Sequence, residues 1–178
     1  MHQHDFEELI IGVKGQVEHF IDFKTQTYSA PFVTFVTQGK NHRVKPLLQD
    51  NDIDFWVIRF KSEFIPETTF QLYAHFHENA TLTFFQPTCF SRLVILCQMI
   101  QQETQQSLVD YAVIKQLLST IFIMIESERK KQFPDTQQFH YPYGKHHLLH
   151  GIAFVIMKAA LHDHHAAPCQ QTQNQLAR

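Results

Sequence analysis

His2, His4 and Glu8 stand close together at the start of the chain, and Gly39-x-x-His42 answers them downstream. Side chains two residues apart on an extended strand leave the same face, roughly 7 Å apart, so His2 and His4 can act as a pincer. Glu8 lies too far along a straight strand to join them. A turn near Asp5 and Phe6 must therefore restart the chain at about Glu7, as the apolar run Leu9-Ile10-Ile11 supports. Three imidazoles and one carboxylate then gather near the mouth of a small β-barrel. Such a set suits iron, zinc, nickel, copper or manganese and leaves positions open for water or substrate. The plainer reading of the same residues is a polar rim around a structural turn.

Three more residues are candidates for ligand contact. Trp56, inside DFWVIRF, either lines an apolar pocket or packs in the core, and core packing is the commoner use of a lone tryptophan. Arg43 and Arg59 either clamp an anionic effector or face solvent from their strands. No Gly-rich phosphate loop and no nucleophile elbow occurs.

The elements that must position these residues follow from periodicity. Leu9 to Val13, Gln16 to Phe23, Phe32 to Val36, His42 to Val44, Asp54 to Phe60 and Leu82 to Phe85 read as strands. Lys14-Gly15, Ala30-Pro31, Gln38-Gly39 and Asn51-Asp52 separate them as turn signals. Short strands at this spacing predict a sandwich or barrel. Pro66 is expected to open a short helix in the ambiguous stretch 64–79. Two longer helices are predicted next: one from an N-cap at Thr88, with Phe90, Leu93, Val94, Cys97 and Ile100 at helical spacing, and one from a Ser107–Asp110 capping box to the basic end Arg129-Lys130-Lys131. Leu117, Leu118, Ile121 and Ile125 on the second are expected to supply a dimer interface.

Composition sets the limits. A chain of 178 residues, 44% hydrophobic and with 17 Phe, can fill one compact aromatic core, so disorder over most of its length is excluded. A net charge of -2 gives no general attraction to nucleic acid or an anionic membrane. No apolar run reaches transmembrane length, and the polar start HQHDFEE does not read as a secretion signal. Cys89, Cys97 and Cys169 are odd in number and lack metal-ligand spacing, so they read as reduced thiols in a cytoplasmic protein. From Gln132 the character changes: the segment 132–178 holds seven of the thirteen His and seven Gln but only five charged residues. Gly151 to His162 reads as a short apolar helix there.

The order of these motifs resembles a known family. His2-x-His4-x3-Glu8-x6-Gly15 matches the first cupin motif, Gly39-x2-His42 resembles a reduced second one, and the stretch from HDFEELIIGVKGQ through DIDFWVIRFKSEFI is similar to the N-terminal effector-binding and dimerisation domain of AraC-type transcriptional regulators. The resemblance covers about residues 1–131. It implies a mainly β fold with C-terminal helices: a cupin-like, jelly-roll effector-binding barrel over 1–86, a helical linker and dimerisation segment over 87–131, and an atypical His/Gln-rich tail over 132–178.

Function follows as an expectation. The resemblance implies a sensor rather than an enzyme, taking a small-molecule effector such as a sugar through His2, His4, Glu8, His42, Arg43 and Trp56. It also implies a homodimer through helices 88–104 and 107–128. DNA would be contacted only through a helix-turn-helix domain, which is not found in this sequence; a truncated or frame-shifted regulator would explain the tail. No cofactor is expected of a sensor. A divalent transition metal held by His2, His4, Glu8 and His42 is the alternative, and would make the chain a small metal-dependent cupin enzyme, an isomerase or dioxygenase.

Overall fold

The computed structural model describes residues 3–21, 23–47, 52–65, 81–133 and 155–162. His2, the proposed helix after Pro66 and the end of the tail lie outside them. Among the described residues the chain forms eight strands and two α-helices: β1 (Glu7–Lys14), β2 (Gln16–Ile21), β3 (Lys24–Ser29), β4 (Phe32–Val36), β5 (His42–Leu47), β6 (Asp52–Phe60), β7 (Thr81–Thr83), α1 (Pro87–Thr104), α2 (Tyr111–Gln132) and β8 (Val155–His162). The strands form two antiparallel sheets, five-stranded in the order β7-β4-β1-β6-β8 and three-stranded in the order β3-β2-β5.

The larger sheet is built from runs that are apolar on both faces, and this dictates layers on both sides. Leu9, Ile11, Phe35, Ile58 and Phe60 pack against α1 and α2, joined by Leu93, Cys97, Leu118, Ile121 and Phe122. Aromatic rings seal this layer, with Phe122 lying 6.0 Å from Phe35 and 5.4 Å from Phe60 between centroids. The alternate residues Ile10, Phe32 and Val57 meet Val17 of the smaller sheet. Gly12 lies in this second layer by necessity, since a Cβ there would stand 2.2 Å from Phe32 Cε1. Gly15 and Gly39 take φ of 86° and 79° at the turns after β1 and β4, a region that costs glycine little.

Several expectations need correction. The strand KTQTYS, β3, was not anticipated, because it is polar on both faces and exposed nearly throughout. Gly151 to His162 does not begin a helix that runs to its end. Val155–His162 is a strand, paired antiparallel with β6 from Asp52↔His162 to Arg59↔Val155, so part of the 132–178 segment belongs to the sheet. The helix starts also differ. Gln86 is the N-cap of α1, without a side-chain bond and with Pro87 following it, whereas Asp110 rather than Ser107 caps α2, its Oδ1 accepting from Ala112 N at 2.8 Å. Most consequential are Leu118, Ile121 and Ile125, expected to face a partner: each is fully buried against the chain's own sheet. Apolar residues left exposed on the helices include Ile95, Met99, Val113 and Ile123.

Candidate functional site

Strand register decides which side chains meet between the sheets. Residues directly opposite one another on antiparallel strands share a face. Glu8 pairs with Val36 on one side and Arg59 on the other, so Glu8 and Arg59 point together toward the smaller sheet, in phase with Ile10 and Val57. On the smaller sheet Ile21 is opposite His42 and His19 is opposite Val44, which places His19, Val17 and His42 on the facing surface.

Glu8 is the centre of the cluster. Its Oε2 accepts from Arg59 Nε at 2.8 Å, and its Oε1 lies 3.2 Å from His42 Nε2, which donates when it carries the ring proton. Burial alone would raise its pKa, but the hydrogen bonds from His42 and Arg59 and the guanidinium charge overcome burial and hold it down at about 2. The carboxylate is therefore ionised at neutral pH. His42 is fully buried, and its ring meets that of His4 edge-on at 4.9 Å. His4 in turn donates from Nδ1 to Phe6 O at 2.7 Å and stacks on the Phe6 ring at 3.9 Å. Phe6 also carries the Arg59 guanidinium 5.3 Å above its ring, so one aromatic side chain braces both a histidine and the arginine. An open depression lined by Gln3, His4, Asp5, Phe6, Gln38 and Gly39 lies over this end.

The expected donor set is brought together in part. His4, Glu8 and His42 present donor atoms within 4.8 Å of one another. Donors bound at about 2.1 Å to one first-row ion stand roughly 3–4 Å apart, so a modest contraction would bring these three to bonding positions. The donors fit a divalent transition ion in type, although Arg59 already supplies positive charge to one oxygen of Glu8. His2 falls outside the described residues.

Two candidates are placed elsewhere. Arg43 follows His42 on β5 and so points to the opposite face, where it is half exposed and pairs with Glu18 at 3.1 Å. Trp56 is buried on the helix side of the larger sheet, with Lys158 of β8 5.6 Å from its ring centroid. Arg59, three residues on, is the member of this strand that reaches the cluster.

His19 is the residue that sequence reasoning missed. It is 1% exposed, its ring stands edge-on to His42 at 6.2 Å, and among the described residues neither ring nitrogen has a hydrogen-bond partner. Burial first, and the neighbouring His42 second, push its pKa down to about 4 against the pull of Glu8, so it is neutral. The signal was present in QVEHFI, where His19 falls in phase with Val17 on an alternating strand.

A scan against protein-family models finds no match to this chain, and the curated proteins contain no match either. Among the described residues, no helix is long and apolar enough to cross a membrane.

Proposed function

We propose that the chain is the ligand-sensing and dimerisation part of an AraC-type transcriptional regulator, a cupin-like jelly-roll barrel whose helices transmit occupancy of its interior. One observation carries this reading: β1 and β6 each serve both layers. Glu8 and Arg59 face the space between the sheets, while their neighbours Leu9, Ile58 and Phe60 support α1 and α2. A small effector that draws on Arg59, Glu8 or His42 would shift strands on which the helices rest, and helix pairing would respond. Helices 87–104 and 111–132 would form the homodimer, through exposed positions such as Ile95 and Met99, one turn apart on α1. DNA contact would need a helix-turn-helix unit beyond what this sequence reads as. Cys89 and Cys97 are free thiols among the described residues, which suits a reducing, cytoplasmic setting.

Sedimentation velocity on the full chain tests the assembly. A dimer at micromolar concentration is expected, with Ile95→Glu plus Met99→Glu giving a folded monomer. A monomeric wild type throughout that range would sink the proposal.

The arrangement of His4, Glu8 and His42 favours a second reading, a small metal-dependent isomerase or dioxygenase. Elemental analysis of protein purified without a His tag separates the two. One bound transition ion per chain, lost in His42→Ala, supports the enzyme; trace metal unaffected by that change removes it.

A further inference from the structure

His19 has the least accounted-for environment in the space between the sheets. A neutral imidazole carries one N–H donor and one acceptor nitrogen, and in His19 both are sealed from solvent with no partner among the described residues. Buried polar atoms are nearly always satisfied by protein, water or ligand, because leaving them unmet forfeits their hydration without return. Pairing of its strand with Gln26 of β3 and Val44 of β5 fixes the backbone at His19 and so directs its side chain between the sheets.

We infer that His19 is the recognition residue for a neutral ligand held between the two sheets, one whose polar group both donates and accepts a hydrogen bond, as a hydroxyl or primary amide does. This rests on reading that space as the sensing site. The charges around His19 argue for neutrality. Glu8, whose charge His19 feels, already has one oxygen paired with Arg59 and the other hydrogen-bonded to His42, so its carboxylate is engaged on both sides. An ion entering beside it would lose its hydration without a counter-charge. A hydroxyl or amide has the matching pair of functions and loses little. The apolar side chains Ile10, Val17, Phe32 and Val57 pack together between the same sheets, so a ligand with one polar group and a short hydrocarbon body matches the chemistry beside His19. The approach is marked by rings in succession: His4 lines the open depression, meets His42 at 4.9 Å, and His42 meets His19 at 6.2 Å.

The test uses the full chain with 15N-labelled histidine and follows the imidazole nitrogens by two-bond 1H–15N correlation. Acetamide and glycerol are the neutral probes, acetate the anionic one and zinc the cationic one. Either neutral probe should move the His19 ring nitrogens along a saturable curve. Read from the His42 ring, affinity should weaken about tenfold or more in His19→Phe and stay within about threefold in His19→Gln, whose amide keeps one donor and one acceptor. His19→Phe should melt no lower than wild type, because it removes two unmet polar atoms from a buried position. That combination of kept stability and lost binding is not what a packing role gives. Saturable shifts with acetate alone or zinc alone, no saturable shift with any probe, or neutral-probe binding unchanged in His19→Phe would each overturn the inference. A wild-type monomer that still binds acetamide through His19 would remove the dimeric sensor and leave this site standing; a dimer without His19 binding would do the reverse.

Discussion

The two faces of the five-stranded sheet are made from the same strands and have opposite characters. On the helix side, Leu9, Ile11, Ile58 and Phe60 meet α1 and α2 in a layer closed by Phe122. On the other side, alternate residues of the same strands, Ile10, Phe32 and Val57, meet Val17 of the smaller sheet in a smaller apolar group, which gives way at one end to Glu8 and Arg59 facing His19 and His42 of that sheet. The first face is where burial of apolar area stabilises the fold. The second gives up some of that stabilisation to hold polar groups at defined positions, which is the arrangement a binding site requires. The lesson is local: period-two alternation lets one strand anchor a helix and present a carboxylate within two successive residues.

The largest expected effect breaks the helix-side face. Leu118→Glu combined with Ile121→Glu places two carboxylates in a fully buried apolar layer, and no folded protein should survive, as circular dichroism would record. A folded monomer would instead mean that this face belongs to an interface between chains. Within the same layer, Phe122→Ala should cost about 3–5 kcal/mol, against about 1.5–3 kcal/mol for Val57→Ala between the sheets. Equal losses in urea unfolding would remove the distinction between the faces.

Acid should sharpen it. His19 has a folded pKa of about 4 against an ordinary 6.5, so the unfolded chain takes up its proton first. Above about pH 6.5 this proton uptake costs the fold nothing, and as pH falls toward about 4 it lowers stability by an amount on the order of 3 kcal/mol. Glu8, lowered from 4.5 to about 2, contributes stability that is present above pH 4.5 and fades as pH falls toward about 2. Stability measured against pH should therefore fall in two successive windows, and His19→Phe should abolish the upper one alone. An upper window that persists in that variant would assign it to another group. The smallest effect is expected at Arg43, whose exposed pair with Glu18 should contribute less than about 1 kcal/mol, so Arg43→Ala should leave both thermal stability and ligand response nearly unchanged.

Sequence and structure agree where the signal is local and one-dimensional. Alternation and turn residues were enough to locate β1, β2, β4, β5, β6 and both helices to within a few residues. Motif spacing read with the cupin resemblance pointed to His2, His4, Glu8 and His42, of which His4, Glu8 and His42 meet and His2 lies outside the described residues. What escaped depends on partners distant in sequence. KTQTYS carries no apolar face because it lies at the edge of the smaller sheet, and VIMKAALH is a strand because β6 offers it an edge, despite alanines that favour helix. The burial of Leu118 and Ile121 was misassigned because an amphipathic helix does not say whether its apolar stripe meets its own sheet or another chain. The positions of Arg43 and Trp56 away from the cluster follow from strand alternation. Arg43 is adjacent to His42, and Trp56 is an even number of residues from Ile58, which fixes both on faces away from the cluster.

The last strand has a consequence for synthesis. β6 is an inner strand only once Val155–His162 has paired with it, and those residues are translated long after DIDFWVIRF. At ordinary elongation rates the interval is on the order of ten seconds, during which a β-prone, largely apolar strand has one side of its backbone unsatisfied. Asp54 and Arg59 place charge toward its two ends and so discourage the wrong neighbour from adding to that edge. The nascent chain is thus exposed to self-association in a way the finished molecule is not, and the yield of soluble protein should depend more on growth temperature and expression rate than on the stability of the completed fold.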